Sequence, residues 1–147
     1  MEIVRTLVAP CGPEFLFEHV DDLDRYPAWM ELIHEVERVG DDDLWDVELQ
    51  AQVGPFARSK RLRMRRTVHD APTTVVFERD EADGRQHSPW TLRGDVVALD
   101  DERSRLTMTL AYGGSLWTGA VLQRVLDEKV AAGSAELLAQ ITAAPRR

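Results

Sequence analysis

The sequence predicts an α+β fold in which a seven-stranded, curved antiparallel sheet wraps around a long C-terminal helix, in the order β-α-α-β6-α. Three observations lead there. Strand periodicity opens the chain and returns from about residue 35 to residue 112. Two short helical stretches, broken by prolines, lie between. A 3.6-residue period of more than twenty residues then closes the chain.

The first strand is Glu2 to Ala9, where Ile3, Arg5 and Leu7 alternate with Val4, Thr6 and Val8. Pro10 and Gly12 stop it. Pro13 suits the first position of a helix, where its missing N–H is no loss, and Leu16, Val20 and Leu23 then form an apolar stripe. The stretch LDRYPAWM, residues 23–30, follows. Asp24 is read as the cap of a second short helix with Pro27 in its first turn, so the proline marks a break between two helices. Tyr26 and Trp29 are then free to close over apolar neighbours.

From Glu35 to Tyr112, turn signals at GDDD (40–43), GP (54–55), DAP (70–72), DEADGR (80–85) and DDE (100–102) separate strand-like runs. Trp45, Val47, Leu49, Ala51 and Val53 share one face against Asp46, Glu48, Gln50 and Gln52. Thr73, Val75, Phe77 and Arg79 share another, with Arg79 placed near the strand end and in solvent. Trp90, Leu92, Gly94, Val96 and Ala98 form a further inner face, as do Leu106, Met108, Leu110 and Tyr112. Gly94 marks either a bend in the sheet or a close approach.

After YGGS, Leu122, Val125, Leu126, Val130, Leu137 and Ile141 fall near one helical face between about Leu116 and Thr142. Ser115 or Thr118 is a possible cap, and Pro145 lies just beyond the end. At 1.5 Å per residue such a helix spans roughly 35–40 Å, enough to cross a whole sheet. A curved sheet buries its concave face only against another element, and this helix is the one piece long enough. A bent sheet does not touch a straight rod everywhere, so a gap between them is expected.

Bulk properties narrow the function. One domain, residues 1–147, is the simplest reading, and 44% hydrophobic with 30% charged residues is ordinary for a folded chain. A net charge of −8 argues against nucleic acid and against anionic lipid surfaces. The single cysteine, Cys11, forms no internal disulfide and is read as structural, which fits a cytoplasmic location. No apolar run approaches a membrane span, so no stable membrane insertion is expected, and MEIVRTLVAP does not read as a signal peptide.

The unusual segment is ARSKRLRMRRT, residues 57–67. As a strand it places Arg61, Arg63 and Arg65 on one face, and Arg58, Lys60, Leu62, Met64, Arg66 and Val68 on the other. The outward set reads as a solvated face paired with acids. Arg66 is the sharper candidate: pointing inward, its guanidinium would hold a carboxylate, phosphate or enolate oxygen through two parallel bonds. A slip of one residue reverses these assignments, and a charged edge strand explains the composition equally well. His19, His34, His69 and His87 show neither an i, i+4 pair nor an HxH spacing, so no metal site and no cofactor are expected. No serine elbow, P-loop or dinucleotide fingerprint is present. Leu116 and Trp117 are read as lying under a cavity mouth or at a dimer contact.

This order of elements, with VDDLDRYPAWM after the first strand and GGSLW…VLDEKVAAGSAELL at the end, resembles the helix-grip superfamily of START-like and Bet v 1-like (SRPBCC) proteins, in particular its polyketide cyclase and dehydrase branch. The resemblance covers almost the whole chain and implies a hydrophobic cavity between sheet and helix for a lipid, a polyketide or a similar small molecule. The walls expected from this sequence are Trp29, Trp45, Leu49, Leu62, Met64, Phe77, Trp90, Leu92, Met108, Leu126 and Val130, with core packing as the plainer role of the aromatic members. Three functions follow. The first is binding of a hydrophobic ligand. The second is aldol-type cyclisation and dehydration of a poly-β-ketone, with Arg66 as oxyanion partner and Tyr112 as proton donor. The third is an interaction protein with a vestigial cavity. The chain is expected to act as a monomer or homodimer.

Overall fold

In the computed structural model, the opening alternation becomes strand β1 (Glu2–Ala9), with Ile3, Leu7 and Ala9 buried and Val4, Thr6 and Val8 exposed. Helix α1 (Pro13–Glu18) carries its proline in the first turn. A 3-10 helix (Leu23–Ala28) follows, then β2 (Ile33–Arg38), β3 (Leu44–Val53), β4 (Phe56–Asp70), β5 (Thr74–Arg79), β6 (Trp90–Ala98), β7 (Ser104–Tyr112) and helix α2 (Ala120–Ala143). The structure describes residues 1–40, 42–81, 83–113 and 120–144. The sequence assignments for Ser115, Leu116, Trp117, Thr118 and Pro145, and for the side chains of Val53 and Leu122, lie outside the described residues.

One sheet contains all seven strands, in the order β1-β7-β6-β5-β4-β3-β2, with every neighbouring pair antiparallel. This is the expected α+β helix-grip architecture. The strand β4 joins two halves of the sheet. Its first part, Phe56 to Arg65, pairs with β3; its second, Met64 to Asp70, pairs with β5. A register shift between Arg66 and Val68 marks a bulge there, and a bulge bends its strand and raises the local twist. A second shift, between Ile33 and Glu35, lies on β2.

Helix α2 lies against β1 near one edge of the sheet and β3 near the other, and so crosses the inner face. Leu126, Val130, Leu137 and Ile141 are its buried stripe. Polar ties fix its position: Arg5 to Asp127 at 2.7 Å, Lys129 to Glu31 at 2.7 Å, and Gln140 Nε2 to the Ala28 carbonyl at 2.7 Å. Among the described residues no helix is long and apolar enough to cross a membrane.

Three local expectations need correction. The short second helix is 3-10, its cap is Asp22 accepting from the Asp24 N–H, and Pro27 stands near its end instead of in its first turn. Val68 does not share the inner face with Arg66; the bulge turns it outward, where it is 41% exposed, and brings His69 inward against Val75. Arg79 does not reach solvent, because Glu81, His87 and Ser88 fold back over it.

Gly94 has a definite purpose. A Cβ there would stand 3.3 Å from Val75 Cγ1 and 3.7 Å from Val20 Cγ2, so its bareness lets the end of the first helical segment sit close on the sheet. Close approach by the chain itself, not by a ligand, accounts for this glycine.

Candidate functional site

The inner face has a solid end and a hollow end. At the solid end the 3-10 helix lays Tyr26 and Trp29 over the sheet, with ring centroids 4.8 Å apart. Tyr26 meets Phe77 edge-on at 6.0 Å, and Phe77 meets Trp45 edge-on at 5.7 Å. All three rings of the Tyr26–Phe77–Trp45 chain are fully buried. The Tyr26 hydroxyl donates to the Val20 carbonyl at 2.7 Å, and burial, with Asp21 and Asp22 nearby, pushes its pKa well above the ordinary tyrosine value.

Arg66 belongs to this solid end. It is inward-facing, paired across the strands with Phe77, yet its guanidinium turns toward the helical segment. Nη1 donates to the Asp21 carbonyl at 2.7 Å and Nη2 to Asp43 Oδ1 at 2.7 Å, while Cζ lies 5.6 Å from the centre of the Trp45 ring. His69 adds a parallel tie, Nε2 lying 3.0 Å from Asp21 Oδ2. The bonds to Asp21 clamp the bulged part of β4 to the connection between the two short helices, and the bond to Asp43 holds it to the turn between β2 and β3.

The hollow end is a cavity of about 40 Å³ between sheet and α2. Leu23, Met30, Leu32 and Ile33 close it on the side of the 3-10 helix and the start of β2. The central strands contribute Val47 and Leu49 from β3, and Leu62 and Met64 from β4. Trp90 and Leu92 of β6, with Met108 and Leu110 of β7, form the opposite wall, and Val130 of α2 the roof. Among these described residues there is no carboxylate, imidazole, hydroxyl or thiol. The lining supplies neither a nucleophile nor a general base, and what it offers a guest is apolar contact. The volume admits about three or four waters, by the rule that one water needs roughly 10–15 Å³. A larger guest enters only if the walls part.

Three of the chain's four methionines, Met30, Met64 and Met108, line this hollow. Methionine is unbranched and adapts its shape to what it touches. Met30 also packs close under the helix: a Cβ on Gly133 of α2 would meet Met30 Sδ at 2.7 Å and the Trp29 carbonyl at 3.2 Å.

Of the expected walls, Leu49, Leu62, Met64, Trp90, Leu92, Met108 and Val130 come together around the cavity. Trp29, Trp45, Phe77 and Leu126 are buried in the core and stand outside the lining. Leu23, Met30, Leu32, Ile33, Val47 and Leu110 are the lining residues not singled out from sequence. Val47 and Leu110 sit on the alternating faces already recognised and Leu23 on the first apolar stripe, whereas Met30 and Leu32 lie between the 3-10 helix and β2, without a period to read.

Arg66 and Tyr112 are not brought together around this cavity. Tyr112 is 3% exposed and stacks on Trp90 at 5.1 Å; burial raises its pKa, and its Oη has no hydrogen-bond partner among the described residues.

Glu81, Asp83 and His87 place atoms of metal-ligand type within 4.8 Å of one another. Arg79 already provides the positive charge in that cluster. Its Nη2 lies 3.0 Å from Glu81 Oε1 and 3.2 Å from His87 Nδ1, while His87 Nε2 lies 2.8 Å from Glu81 and 2.9 Å from Asp83. With Arg79 donating to Nδ1, an Nε2 proton is donated to Asp83.

The outward arginines of β4 are paired as expected: Arg61 with Glu48 at 2.8 Å, Arg63 with Asp46 at 2.8 Å, and Arg65 with Asp80 at 2.6 Å. Exposed pairs of this kind contribute roughly 0–1 kcal/mol each.

Comparison with known proteins fits this architecture. No curated protein matches the chain. Solved structures do. A conserved protein from Geobacillus kaustophilus superposes with a TM-score of 0.75 at 14% identity, covering 97% of this chain and 95% of its own. The Zhui aromatase/cyclase of a Streptomyces species gives 0.66 at 15%, covering 97% and 93%. A START superfamily protein from Mycobacterium smegmatis gives 0.65 at 16%, covering 96% and 93%. At such identities these likenesses establish the fold. Residues 1–144 match the family model described as polyketide cyclase / dehydrase and lipid transport, and the chain belongs to that family.

Proposed function

We propose that this protein binds a hydrophobic small molecule, a lipid, polyketide or similar compound, in the space between the sheet and α2. The observation that carries the reading is the chemistry of the lining: aliphatic and methionine side chains with one indole, enclosed between two layers. With about 40 Å³ between the layers, uptake of a larger guest needs the walls to part, and in this reading Met30, Met64 and Met108 are the side chains that yield. Methionine costs less to rearrange than a branched side chain, so the softest walls are where the guest enters.

The ligand is the principal partner in this reading. The acidic chain makes nucleic acid an unfavourable one, the lone buried Cys11 suits the reducing cytoplasm, and the protein works as a monomer or homodimer. Native mass spectrometry of protein purified from its own host tests the proposal. A retained adduct of lipid size is expected. Protein free of adduct that also fails to take up added dodecanol would overturn it, and would favour an interaction protein with a vestigial cavity.

One observation keeps catalysis as a second reading. Tyr112 presents a buried hydroxyl without a described partner, stacked on the cavity residue Trp90. As the proton donor in a ring closure of a poly-β-ketone, it would act from that edge, with Arg66 as oxyanion partner once released from Asp43. Incubation with a reactive poly-β-ketone, compared with Arg66→Ala and Tyr112→Phe, decides it: identical product mixtures with and without protein remove the enzyme.

A further inference from the structure

The cations of β4 divide into two groups. Arg61, Arg63 and Arg65 each meet a carboxylate outside the sheet, and Arg66 meets Asp43. Arg58 and Lys60 point to the inner face, where their cross-strand partners are Ala51 and Leu49. Neither partner carries charge, and no ion pair to Arg58 or Lys60 occurs among the described residues. Both stand on one face of the sheet, and Glu81, the acid that acts on Lys60, is already paired with Arg79 and His87.

Their place gives these two cations meaning. Leu49, directly opposite Lys60, lines the hollow, and so does Leu62, two residues along the same face. Opposed residues of an antiparallel pair hold their Cβ atoms about 4.5–5.5 Å apart, so the stem of Lys60 runs beside Leu49 just outside the lining, with its ammonium within reach of the Arg79 and Glu81 charges. Lys60 is partly buried, Arg58 exposed. Burial, then the nearby Arg79 guanidinium, hold the Lys60 pKa below its ordinary value, while Glu81 acts in the opposite sense. Arg79 itself is taken by Glu81, His87 and Ser88.

We propose that the guest is a single-chain amphiphile with a carboxylate at one end, its chain in the methionine-lined hollow and its carboxylate on Lys60 with Arg58 behind. This rests on the cavity-binding reading above and narrows it. A monoanion suits the site better than a dianion, because Glu81 adds negative charge close by. Bound there, the carboxylate gains a charge-assisted hydrogen bond and restores the ammonium's lost solvation.

Calorimetric titration with dodecanoate and with dodecanol tests the inference. Dodecanoate should bind roughly tenfold more tightly, the worth of one hydrogen bond to a charged group. Lys60→Met should abolish that preference while leaving dodecanol binding within about twofold, since the apolar stem is kept. Lys60→Arg should preserve the preference, and Arg61→Met, on the outer face, should leave both affinities unchanged. Equal affinities for acid and alcohol in the native protein, or a preference that survives Lys60→Met in a variant that still binds dodecanol, would overturn the carboxylate assignment alone. Failure of the native protein to bind either compound would overturn the cavity reading and this inference with it.

Discussion

The two ends of the inner face use the same sheet for opposite purposes. Around Tyr26, Phe77 and Trp45 the space is filled by rings, and Arg66 and His69 tie the covering segment to β4. Around Met30, Met64 and Met108 the same layers leave about 40 Å³ unfilled, bounded by aliphatic and methionine side chains and one indole. Aromatic rings meet in preferred geometries and resist displacement, whereas thioethers adapt. The contrast shows how one domain keeps a stable fold beside a deformable interior: stiffness sits at one end and compliance at the other.

That contrast is breakable. Phe77→Ala removes the ring between Tyr26 and Trp45, and should lower unfolding free energy by about 3–5 kcal/mol in denaturant titration. Arg66→Ala takes away the bonds to Asp21 and Asp43 and should cost about 2–3 kcal/mol, with dodecanol affinity changed less than about twofold. A large affinity loss in that variant would mean that the two ends are not separate.

Tyr26→Phe leaves the Val20 carbonyl without its donor and should cost roughly 1–2 kcal/mol near neutrality. It also has a pH signature. The folded protein holds the Tyr26 proton more tightly than the unfolded chain, so the stabilisation is fully present below the unfolded pKa of about 10. It is lost as pH rises above that value toward the folded pKa. The variant should therefore show a shallower fall of stability above pH 10, with Tyr112, also raised by burial, supplying part of what remains. The smallest stability effect is expected at the soft end. Met108→Leu conserves volume and should cost under about 1.5 kcal/mol, yet weaken dodecanol uptake, because the branched side chain yields less readily than a thioether.

How far these differences were legible in the sequence depends on periodicity. Alternation around Trp45–Ala51 and Leu106–Tyr112 placed the inner faces correctly, and the stripe Leu126, Val130, Leu137, Ile141 placed the helix. The bulge beside Arg66 was not legible, since Thr67 carries no glycine or proline to announce it, and one unpaired residue reversed Val68 and His69. Arg79 was assigned to solvent because strand position alone does not reveal that Glu81, His87 and Ser88 return to it. Met30 and Leu32 reach the hollow from the irregular stretch between the 3-10 helix and β2, where side-chain direction depends on tertiary docking rather than on any repeat. Arg66 was recognised as inward, but its turn toward Asp21 and Asp43 depends on segments far away in the chain.

The most direct test is methyl NMR of protein labelled at methionine and titrated with dodecanol. Met30, Met64 and Met108 line the hollow, whereas Met1 is 47% exposed at the chain start and serves as an internal control. The prediction is saturable shifts at the three buried methyl groups with Met1 unmoved. Unchanged resonances at all three, or equal shifts at all four, would contradict a hollow that opens to admit an apolar guest.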